Sequence, residues 1–314
     1  MTKPLLSGVV VHWHNEEPLA RLRAAWPWDS RFELVIVDNG SEPPVPDEGA
    51  GRVLRPGRNL GFAAGANFGA RAAQGDLLLL LNPDIEPAPD ALAALLAGFA
   101  ALPEAAGLAP RLVGEDGAAQ SAWQLKPLPR PWRVVLEGLF LPAVRGPETE
   151  PPPGTRLAQP AAAALALRRE VWDQVGGLDE GFYPAWFEDV DLARRLATAG
   201  AALYYWPAAQ FVHAMGATVP VLGYGRFLWI YYRNRERYLA RHHGAGWRWP
   251  ARLAVVVGMV PRLLLLPVRR PRRAASRTEA ARGLLATVAG ALSGWRFPST
   301  WAERYRAAVT QSPP

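Results

Sequence analysis

Several things are missing from this sequence of 314 residues. There is no cysteine. That excludes disulfides and thiolate metal sites, and leaves the redox compartment open. Lysine occurs only at positions 3 and 126, so the 35 basic residues are nearly all arginine. The N-terminal stretch "MTKPLLSGVVVHWHNEEP" lacks a small-residue cleavage site and reads as a first strand rather than a signal peptide. The chain also lacks an uninterrupted apolar run of the ~20 residues needed to span a bilayer. Its best candidate, "LAVVVGMVPRLLLLPV" (253–268), is shorter and is broken by Pro261-Arg262. Acids are scarce at the C-terminal end. Residues 231–314 hold 16 Arg and 3 acids, a net of +13 within a total of +7. The rest of the chain therefore carries −6. Arginine bias explains the type of cation, but not this segregation, which suggests an anionic partner such as a membrane surface or nucleic acid.

What is present is half hydrophobic, enough for a sizeable core. "LLSGVVVHW" (5–13) and "FELVIVDNGS" (32–41) are short β-branched runs bounded by turn residues, hence strands. Between them, "EEPLARLRAAW" (16–26) spaces Leu19, Leu22 and Trp26 as a helical stripe. "GRVLRPGRNLG" (51–61) offers a short strand and a turn. "FAAGANFGARAAQG" (62–75) is expected as a helix capped by Gly75. "LLLLL" (77–81) is a strand, and 89–102 a further helix. The alternation predicts βαβ units, an α/β fold and a mostly parallel sheet. Ligands of such sheets bind beyond the carboxyl ends of the strands. Asp38 and Asp84 are expected at two such ends, on adjacent strands.

Residues 141–157 are Pro-rich and read as a mobile loop. A strand, a helix and a Gly-Gly stop follow over 161–182. Residues 187–200 form a helix with acids in its first turn, and 202–207 and 209–213 two short strands. After about residue 226 the alternation ends. The apolar segments 253–268 and 282–295, with Arg269, Arg270, Arg272 and Arg273 between them, fit an in-plane anchor on an anionic leaflet. An ordinary helical subdomain is the plainer alternative.

Five stretches occur in a telling order: "VVVHWHN" (9–15), "VIVDNGS" (35–41), "NLGFAAGANFGARAAQGDLLLLLNPDIEP" (59–87), "GGLDEGFYPAWFEDVDLARR" (176–195) and "HAMGAT" (213–218). Together they resemble the inverting glycosyltransferases of family 2, which have the nucleotide-diphospho-sugar transferase (GT-A) fold. "NPD" and "APRLVGEDGAAQS" (109–121) are similar to rhamnosyltransferase-like members. The resemblance covers roughly residues 5–240. It implies a catalytic domain over 1–225, with a nucleotide-binding half to about residue 110 and an acceptor half beyond it. Residues 226–314 then form a basic helical extension.

The resemblance also implies roles. Asp84 is the last residue of an Asp-x-Asp metal motif and would bind Mg2+ or Mn2+. Asn82 replaces the first acid, which leaves one metal carboxylate rather than two. His213 matches a later metal ligand. Asp38 would read the N3–H of uracil or thymine, and Trp13 would stack on the base. Arg58 and Asn59 lie in the loop that approaches the nucleotide. Asp189 would be the general base that takes the acceptor's proton. Glu188 and Asp191 flank it, and like-charge crowding is expected to raise its pKa. Trp186 and Asp191 would contact the acceptor. The implied partners are a dTDP- or UDP-sugar, a lipid-linked or cell-envelope glycan, and the cytoplasmic face of a membrane. Two rivals stay open. A nucleotidyltransferase would want a glycine-rich basic loop after strand one, where this chain has "HWHNEEP". A non-catalytic scaffold would not need acids at 38, 84 and 189.

Overall fold

The computed structural model describes residues 3–139, 145–214 and 222–296. They fall into two compact units. The first comprises 3–128, 145–181 and 188–214. The second comprises 129–139, 182–187 and 222–296.

The first unit opens with strand β1 (Leu6–His12), helix α1 (Glu16–Ala25), strands β2 (Phe32–Asp38) and β3 (Arg52–Leu54), helix α2 (Phe62–Ala72), strands β4 (Leu77–Leu81) and β5 (Ile85–Pro87), helix α3 (Ala91–Ala101) and strand β6 (Gly107–Val113). A short helix α4 (Ser121–Gln124) runs into strand β7 (Leu125–Lys126). Helix α5 (Pro131–Leu139) belongs to the second unit. The first unit resumes with strands β8 (Arg156–Leu157), β9 (Gln159–Pro160) and β10 (Ala164–Arg168), helices α6 (Arg169–Val175) and α7 (Glu188–Thr198), and strand β11 (Leu203–His213). The main sheet has the order β3-β2-β1-β4-β10-β6-β11-β5, with β8 on β11; β7 and β9 form a separate ribbon.

The sheet is mixed. Strands β3, β2, β1 and β4 run parallel, as the alternation requires. Strand β10 then pairs antiparallel with both β4 and β6. The expectation that Asp38 and Asp84 stand on adjacent strands is corrected: β1 lies between β2 and β4. The two strands expected over 202–207 and 209–213 are one strand, β11, with its register interrupted between Trp206 and Gln210. Pro207 lacks the N–H that the ladder would need there.

All five leucines of β4 are buried. Leu77, Leu79 and Leu81 enter the core that contains Leu19 and Leu22 of α1 and Leu92, Leu95 and Phe99 of α3. Leu78 and Leu80 enter the opposite core, with Ala63, Ala66 and Ala70 of α2 and Leu192 and Leu196 of α7. The run does not alternate because both faces of the sheet are covered. Helix α2 approaches the sheet closely. A Cβ on Gly69 would stand 2.6 Å from Val9 Cγ1 and 3.0 Å from Val37 Cγ2. Gly75 is not the cap of this helix, since Ala73 takes that place in an extended conformation.

The second unit is helical. After α5 come α8 (Tyr224–His243), α9 (Arg248–Leu264) and α10 (Arg277–Ser293). Their core includes Leu228, Trp229, Ile230, Met259, Leu284 and Trp295. Helix α8 meets α10 where Gly225 faces Gly283; a Cβ on either would come within 3.0 Å of the other's backbone. Pro261 does not end α9, which continues to Leu264. Among the described residues, no helix is long and apolar enough to cross a membrane. The Pro-rich loop expected over 141–157 lies partly outside the described residues, as does the Met215–Thr218 part of "HAMGAT".

Candidate active site

The carboxyl end of β2 delivers Asp38, which is buried. Its Oδ1 accepts from the Ser41 backbone N–H at 3.0 Å and its Oδ2 from that of Val45 at 2.9 Å. Asp38 therefore organises the 39–45 loop, and each oxygen keeps a further lone pair. Opposite it in register is His12, at the end of β1. His12 is 1% exposed, burial pushes its pKa down, and its Nδ1 has no hydrogen-bond partner among the described residues. Trp13 is half-buried and packs edge-on against His14.

Asn59 is a loop holder. Its Oδ1 accepts from Asn39 Nδ2 at 3.0 Å and from the Gly61 N–H at 2.8 Å, while Asn39 Oδ1 accepts from the Leu60 N–H at 2.7 Å. Sequence reasoning missed Asn39, although the Asn that follows a strand-end Asp was a visible signal. Arg58, beside this lock, is exposed.

Asn82 and Asp84 follow β4. The Asn82 N–H bonds to Ala163 O at 2.8 Å, and its carbonyl accepts from Ile85 N–H. Asp84 is 7% exposed. Antiparallel pairing of β5 with the end of β11 puts His213 opposite Ile85, and the Ala214 N–H bonds to Asp84 O at 3.2 Å. His213 Nε2 then stands 3.7 Å from Asp84 Oδ2.

Gln120 decides what that gap means. Its Oε1 lies 2.8 Å from His213 Nδ1, and its Nε2 donates to His213 O at 2.9 Å. The second bond orients the amide, so Oε1 must accept and Nδ1 must carry the proton. Burial also pushes the His213 pKa down, against the pull of Asp84. A neutral ring protonated on Nδ1 aims the Nε2 lone pair at a carboxylate oxygen. Two acceptors face each other across a gap too long for a hydrogen bond. A divalent cation fits between such donors, and mixed nitrogen and oxygen ligation suits Mn2+ better than Mg2+. Among the described residues no cluster of three or more His, Cys, Asp or Glu could hold a metal. Remaining ligands would come from phosphate and water.

The second acidic centre is at the start of α7. Asp189 Oδ1 accepts from the Val190 N–H at 2.8 Å, and Gln159 Nε2 approaches its Oδ2 at 3.5 Å. Burial raises the Asp189 pKa, and Lys126 draws it partly back. Lys126 and Gln159 are register partners in the β7–β9 ribbon. Glu188 is 7% exposed, with Oε2 unpartnered among the described residues. Its pKa is raised well above normal, by burial first and by Asp189 second. Burial thus dominates at both carboxyls, and the expected crowding acts on Glu188 more than on Asp189.

Asp191 is a correction. It is fully buried and its Oδ2 pairs with Arg195 Nε at 2.7 Å, one helical turn on. Arg195 also bonds to Val175 O. Asp191 ties α7 to the end of α6 and offers no surface to an acceptor. Gly176 and Gly177, both with positive φ, close α6 as a cap.

Trp123 links the two centres. Its ring lies 5.0 Å from that of His213 and 5.7 Å from Lys126 Nζ. Sequence reasoning missed Gln120, Trp123, Lys126 and Gln159. Lys126 alone carried a signal, as one of two lysines in an arginine-rich chain. Trp186 belongs to the second unit, where it packs on Phe227 at 5.0 Å. It and Phe187 both have positive φ, near 72° and 75°. Asn234 of α8 holds this strained turn by donating to Ala185 O and Trp186 O.

The mixed sheet flanked by helices, with acids at or beyond its strand ends and at the start of α7, has the GT-A fold. PcManGT, a mannosyltransferase from Pyrobaculum calidifontis solved with GDP-Man and Mn2+, has a similar fold: TM-score 0.50, 15% identity, 98% of this chain and 86% of that one. GalNAc-T7, solved with UDP, GalNAc and Mn2+, matches with TM-score 0.53 and 18% identity over 76% of this chain, which spans 48% of GalNAc-T7's chain. A profile of Glycosyl transferase family 2 matches residues 9–142. The N-acetylglucosaminyl-diphospho-decaprenol L-rhamnosyltransferase of Mycobacterium tuberculosis is 29% identical over 291 residues, 83% of this chain and 92% of the relative. The chain belongs to glycosyl transferase family 2. It is an inverting enzyme that uses a nucleotide-sugar. Membership sets aside the nucleotidyltransferase and scaffold readings.

Proposed function

We propose that the protein transfers rhamnose, or a closely similar sugar, from a dTDP- or UDP-sugar to a lipid-linked glycan at the cytoplasmic face of an anionic membrane. The observation that carries this reading is the similarity to a rhamnosyltransferase over nearly its whole length. Residues 1–110 would hold the nucleotide, with Asp38 accepting from the pyrimidine N3–H, Trp13 stacking on the ring and Arg58 near the phosphates. Asn59 supports that loop. Asn82 and the Pro83 turn hold Asp84 at the diphosphate.

Asp189 acts as base. The acceptor hydroxyl gives its proton to the carboxylate while its oxygen attacks the anomeric carbon. The bond from that carbon to the diphosphate oxygen breaks, and the nucleoside diphosphate leaves from the opposite face with inversion. Burial suits Asp189 to this, because a raised pKa makes a stronger base. Burial, and then the neighbouring Asp189, raise the Glu188 pKa well above its ordinary value, so Glu188 resists ionisation beside the base. Trp186 would face the acceptor sugar. Asp84 and His213 would hold a divalent cation, which neutralises charge that develops on the leaving diphosphate.

The test is nucleotide release from a panel of dTDP-, UDP- and GDP-sugars, with a polyprenyl-diphosphate-linked N-acetylglucosamine acceptor and Mn2+. Fastest release from dTDP-rhamnose supports the reading. Preference for a GDP-sugar overturns it. Asp189→Asn should cut turnover by roughly 10³-fold or more, with donor affinity unchanged.

A further inference from the structure

We infer that the outward face of α9 and the turn after it form a docking surface that lies flat on an anionic lipid bilayer. The inference deepens the proposed membrane-surface acceptor and rests on it only for its biological purpose. The geometry stands by itself.

Helix α9 has two apolar faces. Ala251, Ala254, Val255, Gly258 and Met259 point inward and are buried. Trp249, Leu253, Val257, Val260 and Leu264 recur at helical spacing on the opposite side and are 48–74% exposed. Leu265 and Val268 continue the stripe at 44% and 78%. A contiguous apolar face left in water marks an interaction surface, and one on a helix edged with arginine suits lipid.

Of the three arginines of α9, Arg248 is exposed at its first residue, and the other two turn off this face. Arg252 turns inward to Glu236, and Arg262 bonds to Gly258 O at 2.8 Å. At the far end of the stripe Arg269, Arg270, Arg272 and Arg273 are all exposed. Between residues 248 and 296 there are ten arginines and one acid, Glu279.

That charge pattern selects the occupant. A second copy of the chain on the same face would bring two arginine clusters together, with almost no carboxylates to offset them. An acidic protein would satisfy the arginines at one end but leave most of the seven-residue apolar stripe without a partner. An anionic bilayer satisfies both parts: acyl chains take the stripe, and headgroup phosphates take the arginines. The seven apolar side chains bury only to the headgroup boundary, consistent with a 17-residue helix that is too short to span.

The test is flotation of the full chain with vesicles of phosphatidylcholine alone and with 30% phosphatidylglycerol, about a third anionic lipid. The expected result is recovery with the anionic vesicles, at least tenfold weaker recovery with neutral ones, and loss of binding at high salt. Leu253→Ser combined with Leu264→Ser should abolish recovery, and each of Arg269→Ala and Arg272→Ala should weaken partition roughly fivefold. Quenching of tryptophan emission by brominated lipid should disappear in Trp249→Phe. Exposed positions leave folding intact, which circular dichroism checks, and nucleotide release to a water-soluble acceptor should not change. Wild-type recovery by the double serine variant overturns the inference. So does a wild-type dimer without lipid that the double serine variant converts to monomer. Loss of nucleotide release alone would count against the catalytic reading, not against this surface.

Discussion

His213 Nε2 faces Asp84 Oδ2 across 3.7 Å, and Gln120 fixes the imidazole so that a lone pair points into that gap. The two residues lie 129 positions apart in the chain and meet only because β5 pairs with β11. Asp84→Asn should therefore remove metal-stimulated donor binding, measured by calorimetry with and without Mn2+. His213→Ala should weaken Mn2+ binding in the presence of donor without changing the fold.

Gln120 touches the imidazole rather than the gap. Outer partners of a ligating histidine typically contribute 10–100-fold in metal affinity. Gln120→Ala is expected to lose roughly that factor, read by Mn2+ titration with nucleoside diphosphate present. Gln120→Glu, which still accepts from Nδ1, should retain most of it.

The pH profile of turnover tests the base. Burial raises the Asp189 pKa above its ordinary value. The active, ionised form is then lost as pH falls through that raised value, so the acid limb of kcat lies at higher pH than for an ordinary aspartate. Lys126 pulls the pKa down. Lys126→Met removes that pull, and the limb should move further toward neutral pH. A shift in the opposite direction would disprove the pairing.

Glu188 bears on stability. Its folded-state pKa is raised, so its favourable contribution holds below the unfolded value and disappears as pH rises through the folded one. Glu188→Gln should raise the thermal midpoint above neutral pH by about 1–2 °C, the equivalent of about 1 kcal/mol in a chain of this size. The gain should vanish in acid.

Asp191 and Gly69 are structural positions. Asp191→Asn leaves Arg195 without its buried partner and should cost about 3 kcal/mol, read by denaturant titration. Gly69→Val would drive a side chain into Val9 and Val37 and cost about 1–3 kcal/mol. Neither residue meets substrate, so the folded fraction should retain donor affinity.

Much of this protein was legible along the chain. The runs 5–13, 32–41 and 77–81 announced three parallel strands through length and β-branched or leucine content, but not their order, in which β1 separates β2 from β4. Asp38 and Asp84 announced themselves as polar residues at the ends of such runs. Gln159 did not, and Lys126 stood out only by its rarity, because a ribbon of two residues per strand leaves no periodic pattern. Asp191 was misread, although its i,i+4 partner Arg195 stood in plain view; an exposed acid and a buried ion pair look alike in one dimension.

By itself, the sequence determined which segments bury apolar surface and where polar residues interrupt them. Local periodicity and turn chemistry encode those choices. Tertiary structure alone decided the antiparallel insertion of β10 beside β4, the meeting of Asp84 with His213 and Gln120, and the burial that raises Asp189 and Glu188. Each depends on pairing between distant strands or on removal of water by distant residues, and neither leaves a mark on a residue's immediate neighbours.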